Sequence, residues 1–242
     1  MKPFFVAIFC FLFATIGFSQ KSTKPVIAAP KLVVGVMVDQ MRWDFIYRYQ
    51  SRYGEGGFKR ILREGFSCEN TFIPYAQTAT AAGHASVYTG SVPALNGMVG
   101  NEWYDRSLKR DMYCVEDDSV KIVGGSGKGE PMSPKNLIST TITDELELAT
   151  NFKSKVVGVA IKDRGSILPA GHAGDAAYWY EPNSGNFVSS TWYMSALPNW
   201  AVAFNQRRVV DSFYKMNWAL SHPLETYVQS DKDNPVYQKN PF

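Results

Sequence analysis

The sequence predicts an α/β fold with a central, mostly parallel sheet flanked by helices, and three observations carry that prediction. Two continuous apolar runs rich in β-branched residues, LVVGVMV at 32–38 and VVGVAI at 156–161, read as strands buried on both faces. The first is followed, and the second preceded, by apolar residues at helical spacing. Between them a small-residue stretch, TATAAGHASVYTG at 78–90, reads as a helix opening near Thr80. The sheet is expected to be incomplete, with a β-rich insertion after about residue 170.

With 242 residues, 45% of them hydrophobic and 14% aromatic, the chain has ample material for a core. Its 25 basic residues against 22 acidic ones give no electrostatic reason to expect a nucleic acid polymer or an anionic membrane as partner. Residues 1–19 have a basic start, an apolar run and small residues at Gly17 and Ser19, the pattern of a signal peptide. An exported, periplasmic or secreted protein follows, with no membrane association after cleavage. Removal of Cys10 leaves Cys68 and Cys114, expected to form one disulfide in that oxidising setting, the other reading being two buried thiols.

After a polar linker at 20–31 comes the first strand, ending at Asp39. Met41, Phe45 and Tyr49 recur at helical spacing, and Phe58, Ile61 and Leu62 mark a second helix stopping at Gly65. Residues 71–75 are expected as the next strand, delivering the chain to the Thr80 helix. Turn residues at Pro93, Asn96, Gly97 and Gly100 place Asn101 in a loop, and 112–115 reads as a short strand. The run GGSGKG at 124–129 lacks the spacing of a phosphate loop and is expected as flexible surface. Ser133-Pro134 is a natural helix start, with Ile138, Ile142, Leu146 and Ala149 along one face behind it. After the 156–161 strand, 177–180 and 187–191 flank a hairpin turn at 183–186, and Trp200, Phe204 and Val209 suggest a last helical stretch.

Two strand ends therefore deliver Asp39 and Lys162, and in doubly wound folds ligands sit outside the carboxyl ends of strands. Thr80 at a helix start adds a hydroxyl beside backbone N–H groups and the positive end of a helix dipole. A threonine there also has a plain reading, as the helix N-cap. Asn101, Lys162 and Arg164 have their own plain readings, as a turn residue and a solvated cation pair. His84, one turn after Thr80, is expected as a packed, hydrogen-bonded histidine.

The motifs VDQMRWD (38–44), TAAGH (80–84), TGSVP (89–93), GNEWYD (100–105) and IKDR (161–164), in that order, resemble the alkaline phosphatase superfamily. They are most similar to its phosphate-irrepressible bacterial type, related to type I phosphodiesterases and nucleotide pyrophosphatases. The resemblance implies an alkaline-phosphatase-like catalytic domain from residue 32, acting on small phosphate monoesters through two zinc ions and a covalent phosphoenzyme. Thr80 then resembles the nucleophile, and Asp39, with Thr80, a zinc ligand. Asn101, Lys162 and Arg164 resemble the groups that hold phosphoryl oxygens. The chain departs from that pattern in its metal ligands, for zinc takes about three or four each. Its three histidines, His84, His172 and His222, lie in none of the expected settings. Residues 32–242 are thus expected to be the N-terminal part of a longer enzyme. A phosphodiesterase and a non-catalytic phosphate-binding module are the alternatives; oligomeric state stays open.

Overall fold

The computed structural model describes residues 30–127 and 129–228. The expected signal peptide and most of the 20–31 linker lie outside them. The chain divides into two units, Met1–Val38 and Asp39–Phe242. In the first, residues 32–38 carry no strand, and Leu32, Val33, Val34 and Val36 are 71–80% exposed. The buried strand expected there is not formed. A β-branched run fits a pleated surface, but it becomes a strand only where a neighbour takes its N–H and C=O groups, and among the described residues none does.

The second unit opens with two short helical pieces, α1 (Phe45–Arg48) and a 3₁₀ turn at Gln50–Arg52, then α2 (Gly57–Glu64). None of the three buries a residue. Residues 71–75 form a loop, not the expected strand; Pro74 lacks the N–H that a ladder needs. α3 (Thr80–Thr89) is the first packed element, closed by Gly90 in the left-handed conformation at φ 63°. A single turn, α4 (Pro93–Asn96), leads to a hairpin of β1 (Glu102–Asp105) and β2 (Arg110–Tyr113), with Glu102 opposite Tyr113.

Four further strands make one mixed sheet: β3 (Ile122–Val123), β4 (Val157–Ala160), β5 (Ala176–Glu181) and β6 (Asn186–Ser190), in the order β3-β6-β5-β4. β4 and β5 run parallel, and the other two pairings are antiparallel. The β-rich stretch after residue 170 therefore extends the sheet that β4 begins. β5 is buried on both faces, as its alternation shows. Ala177 and Trp179 join a core with Ala81 and Ala85 of α3 and with Ile167 and Leu168 of α6 (Asp163–Ala170). Ala176 and Tyr178 face the other way, against Ala201 of α7 (Asn199–Gln206). Helices thus cover both faces of the sheet.

β4 departs from the expectation of a strand buried on both sides, because Val157 and Val159 are exposed. Its small face is the packed one: a Cβ on Gly158 would fall 2.2 Å from the Ser166 carbonyl oxygen, so only glycine lets α6 lie this close. On β6, the Phe187 N–H and C=O both pair with the Asn205 carboxamide of α7, at 2.9 and 2.8 Å. A final short helix, α8 (Val209–Phe213), completes the weak helical signal near Val209.

The helix expected from Ser133-Pro134 starts later, as α5 (Ile142–Ala149). Thr141 and Asp144 form a reciprocal capping box that satisfies two end amides, whereas Ser133, which accepts the Lys135 N–H at 3.2 Å and donates to the buried Asp117 carboxylate at 2.6 Å, opens only a single turn. Asp144 also accepts from the Ala173 N–H at 2.7 Å and pairs with His172 at 3.4 Å, while His172 Nε2 donates to the Leu137 carbonyl at 2.8 Å. The 124–127 loop is tied down, for the Ser126 hydroxyl donates to Glu181 at 2.8 Å. Cys68 and Cys114 are free thiols. The expected disulfide is not formed: Cys114 is fully buried in the core and Cys68 is exposed. Burial pushes the Cys114 thiol up to about 12, consistent with a protonated, inert core cysteine.

Candidate active site

Thr80 does not cap its helix. Ala79 occupies the N-cap position, and Thr80 is the first helical residue. Its hydroxyl is thereby released for another partner, and it donates to Asp39 Oδ2 at 2.9 Å. The same carboxylate oxygen lies 3.5 Å from Lys162 Nζ. Burial works to raise the Asp39 pKa, but the Thr80 hydrogen bond and the charges of Lys162 and His84 outweigh it and hold the carboxyl below its usual range. Lys162 is held at the right place because it is the N-cap of α6, one residue beyond the strand end expected for β4.

Asn101 joins from the residue before β1. Its Oδ1 accepts the Ala81 N–H at 3.0 Å, which fixes the amide orientation, since a donor faces it. The Nδ2 end is thus the one left to donate. His84 is buried, and its Nδ1 donates to the Thr80 carbonyl at 2.8 Å, the packed role expected of it. A fixed proton on Nδ1 follows, because a carbonyl only accepts.

Arg164 behaves differently from Lys162. Its guanidinium donates to the Tyr113 hydroxyl and stacks over that ring at 5.6 Å. It also lies 3.8 Å from Asp163 Oδ1, which accepts the Tyr113 hydroxyl at 2.6 Å. Asp39, Thr80, Lys162 and Asn101 are therefore brought together by direct or one-residue contacts, while Arg164 meets Tyr113 and Asp163. Sequence reasoning missed both of those. The only signal for Asp163 was a carboxylate between two cations; for Tyr113 there was none.

Chemically, the arrangement offers a hydroxyl at the positive end of a helix, a donor amide and the Lys162 cation, with Arg164 two residues further along α6, which suits a tetrahedral anion. A metal is a separate matter. Asp39 and Thr80 supply two oxygen donors, where zinc takes about three or four ligands. Among the described residues no group of three or more His, Cys, Asp or Glu comes together to hold one. These residues do not by themselves complete a zinc site. A cavity of about 800 Å³ lined in part by Lys121, Asn186, Gln206 and Arg208 shares no residue with the constellation.

The family model for type I phosphodiesterase / nucleotide pyrophosphatase matches residues 33–236. The chain belongs to that family. Alkaline phosphatase PhoV of Synechococcus elongatus is 57% identical over 213 residues, covering 88% of this chain and 39% of the relative. A protein named calcium-transporting ATPase from Myroides odoratus is 54% identical, covering 96% and 42%. The crystal structure of alkaline phosphatase PafA superposes with a TM-score of 0.83 at 50% identity, over 86% of this chain and 40% of that one. A variant of PafA with one threonine, one asparagine, one lysine and one arginine replaced gives 0.82 at 48% identity. The fold is thus that of an alkaline phosphatase, and the chain spans about two fifths of the length of these relatives. No described helix is long and apolar enough to cross a membrane.

Proposed function

We propose that the intact protein hydrolyses phosphate monoesters, with Thr80 taking the phosphoryl group before water releases it. The observation that carries this reading is the Thr80 hydroxyl, freed from capping and directed 2.9 Å from Asp39 at the start of α3. As Thr80 Oγ1 gives up its proton to solvent and bonds to phosphorus, the bond to the ester oxygen breaks, the alcohol leaves with a proton taken from water, and negative charge is spread over the equatorial oxygens. Lys162, the Asn101 Nδ2 group and Arg164 answer that charge, and fixed donors of this kind supply much of the rate in phosphoryl transfer. The residue types replaced together in the PafA variant, one threonine, one asparagine, one lysine and one arginine, are those of Thr80, Asn101, Lys162 and Arg164, which supports reading the four as one set. Asp39 accepts the Thr80 hydroxyl, which aims the Oγ1 lone pairs away from the carboxylate. Its role is orientation, and as a zinc ligand it needs partners beyond the described residues.

Export through residues 1–19, a catalytic domain beginning at residue 32 and continuing beyond this sequence, and a small phosphate ester as substrate belong to the same reading. The family's description favours a second reading, a phosphodiesterase or nucleotide pyrophosphatase. Two cations one residue apart support the monoester, whose dianion carries more charge to neutralise. Rates of the intact protein on p-nitrophenyl phosphate and bis(p-nitrophenyl) phosphate separate the two. Thr80→Ala is expected to lower turnover roughly a thousand-fold or more, since removing a nucleophile alone disables the whole unit. A phosphoryl group found on Thr80 in the quenched wild-type protein would support the scheme; full activity without Thr80 would end it.

A further inference from the structure

The β1–β2 hairpin delivers two groups to the site from adjacent positions. Asn101 precedes β1 and meets the first turn of α3, while Tyr113 ends β2 and meets the first turn of α6. They are locked in register, because Glu102 pairs with Tyr113 and the Cys114 N–H donates to the Asn101 carbonyl at 2.9 Å. Tyr113 is half-buried, and its hydroxyl has one proton and two neighbours of opposite kind. The Asp163 carboxylate can only accept, so the phenol donates there, and its lone pair receives Arg164 Nη1. Burial, and then the charge of Asp163, push the phenol well above its ordinary value, so that proton stays in place.

Beyond Tyr113, the charged contact of Arg164 is its 3.8 Å approach to Asp163 Oδ1. The Arg164 side chain is 16% exposed, and its Nε is buried without a hydrogen-bond partner. A posture that leaves a donor unsatisfied persists only where other contacts over-determine it. Stacking on the Tyr113 ring sets the plane of the guanidinium, and the hydroxyl sets its rotation in that plane.

We propose that Tyr113 is a positioning residue for phosphoryl binding: through its ring and hydroxyl, the hairpin sets the placement of Arg164 relative to Asn101. This rests on the phosphatase reading above, in which Arg164 holds a phosphoryl oxygen. Tyr113→Phe keeps the stack and deletes both hydroxyl bonds, leaving the guanidinium with the ring and the 3.8 Å approach to Asp163 but no hydroxyl to set its rotation.

The test is a double-mutant cycle in the intact protein isolated from its source, read as kcat/KM for p-nitrophenyl phosphate and as inhibition by inorganic phosphate. Tyr113→Phe alone is expected to weaken both by about 10-fold, the scale of a hydrogen bond to a charged group. In an Arg164→Ala background the same change is expected to have no further effect, which a merely structural tyrosine would not produce. An undiminished loss in that background, or no loss in the wild type, overturns the role of Tyr113 while leaving that of Arg164 intact. If Arg164→Ala itself leaves phosphate inhibition unchanged, the assignment of Arg164 falls and this inference falls with it. Should Tyr113→Phe fail to fold, Tyr113→Met runs through the same cycle: it removes ring and hydroxyl together, leaves the Asp163 contact of Arg164 in place, and the same outcomes decide.

Discussion

Residues 39–79 and residues 80–206 are made of similar material and are held in very different ways. Every fully buried apolar side chain among the described residues lies between Ala81 and Ala201; residues 39–79 contain none. Yet Asp39, the carboxylate partner of Thr80, comes from the loosely held part, and its recorded contacts are those with Thr80 and Lys162. The nucleophile candidate stands on a rigid support, and its partner is positioned mainly by the site itself.

The comparison breaks most easily at Leu168, fully buried between α6 and the sheet. Leu168→Ala is expected to destabilise this 242-residue chain by about 3 kcal/mol in urea unfolding. A loss below about 1 kcal/mol would mean that the 80–206 core is not the stabilising unit.

A smaller effect comes from the polar pin inside that core, and it has two sides. Burial works to raise the Asp144 pKa, but its bonds from His172, Ala173 and Thr141 outweigh that and hold it down to about 2, against 3.8 unfolded. Its contribution is present above 3.8 and lost as pH falls through about 2, roughly 2 kcal/mol in all. Asp117, also held down to about 2, adds to the same acid arm. The Asp144 hydrogen bond raises His172 above 6.5, so its contribution is complete below 6.5 and lost as pH rises through the folded value. Stability against pH is expected to fall on both sides of a plateau between these limits. A His172→Gln variant that keeps the alkaline fall would assign it elsewhere.

The smallest effect is expected at Phe66, which is 87% exposed. Phe66→Ser is expected to shift the unfolding free energy of this chain by about 0.5 kcal/mol or less. A cost near that of Leu168→Ala would erase the contrast between the two regions.

The same contrast explains what the sequence revealed. The run at 156–161 and the run at 32–38 look alike, yet only the first became a strand, because composition shows that a segment can be buried and not what will bury it. The Thr80 helix was readable at both ends, from its small residues and from Gly90. The Ser133-Pro134 start was outcompeted by Thr141, whose capping box with Asp144 is visible in the sequence as Thr-x-x-Asp before an apolar stripe. Of the Thr80–Asp39–Lys162 group only Lys162 stands beyond a strand end; the grouping was legible although the strand expected before Asp39 is not formed. Tyr113 was not, since cross-strand register is set by a hairpin whose pairing no local pattern announces.

Asn205 does for β6 what a neighbouring strand would do. Its carboxamide gives Phe187 one acceptor and one donor, the same pair that an adjoining strand would present. At that position β3 no longer reaches β6, and the open backbone would otherwise be a template for a second molecule to add a strand. One side chain on α7 thus acts as a counterfeit strand, capping the β6 backbone at the one position it reaches.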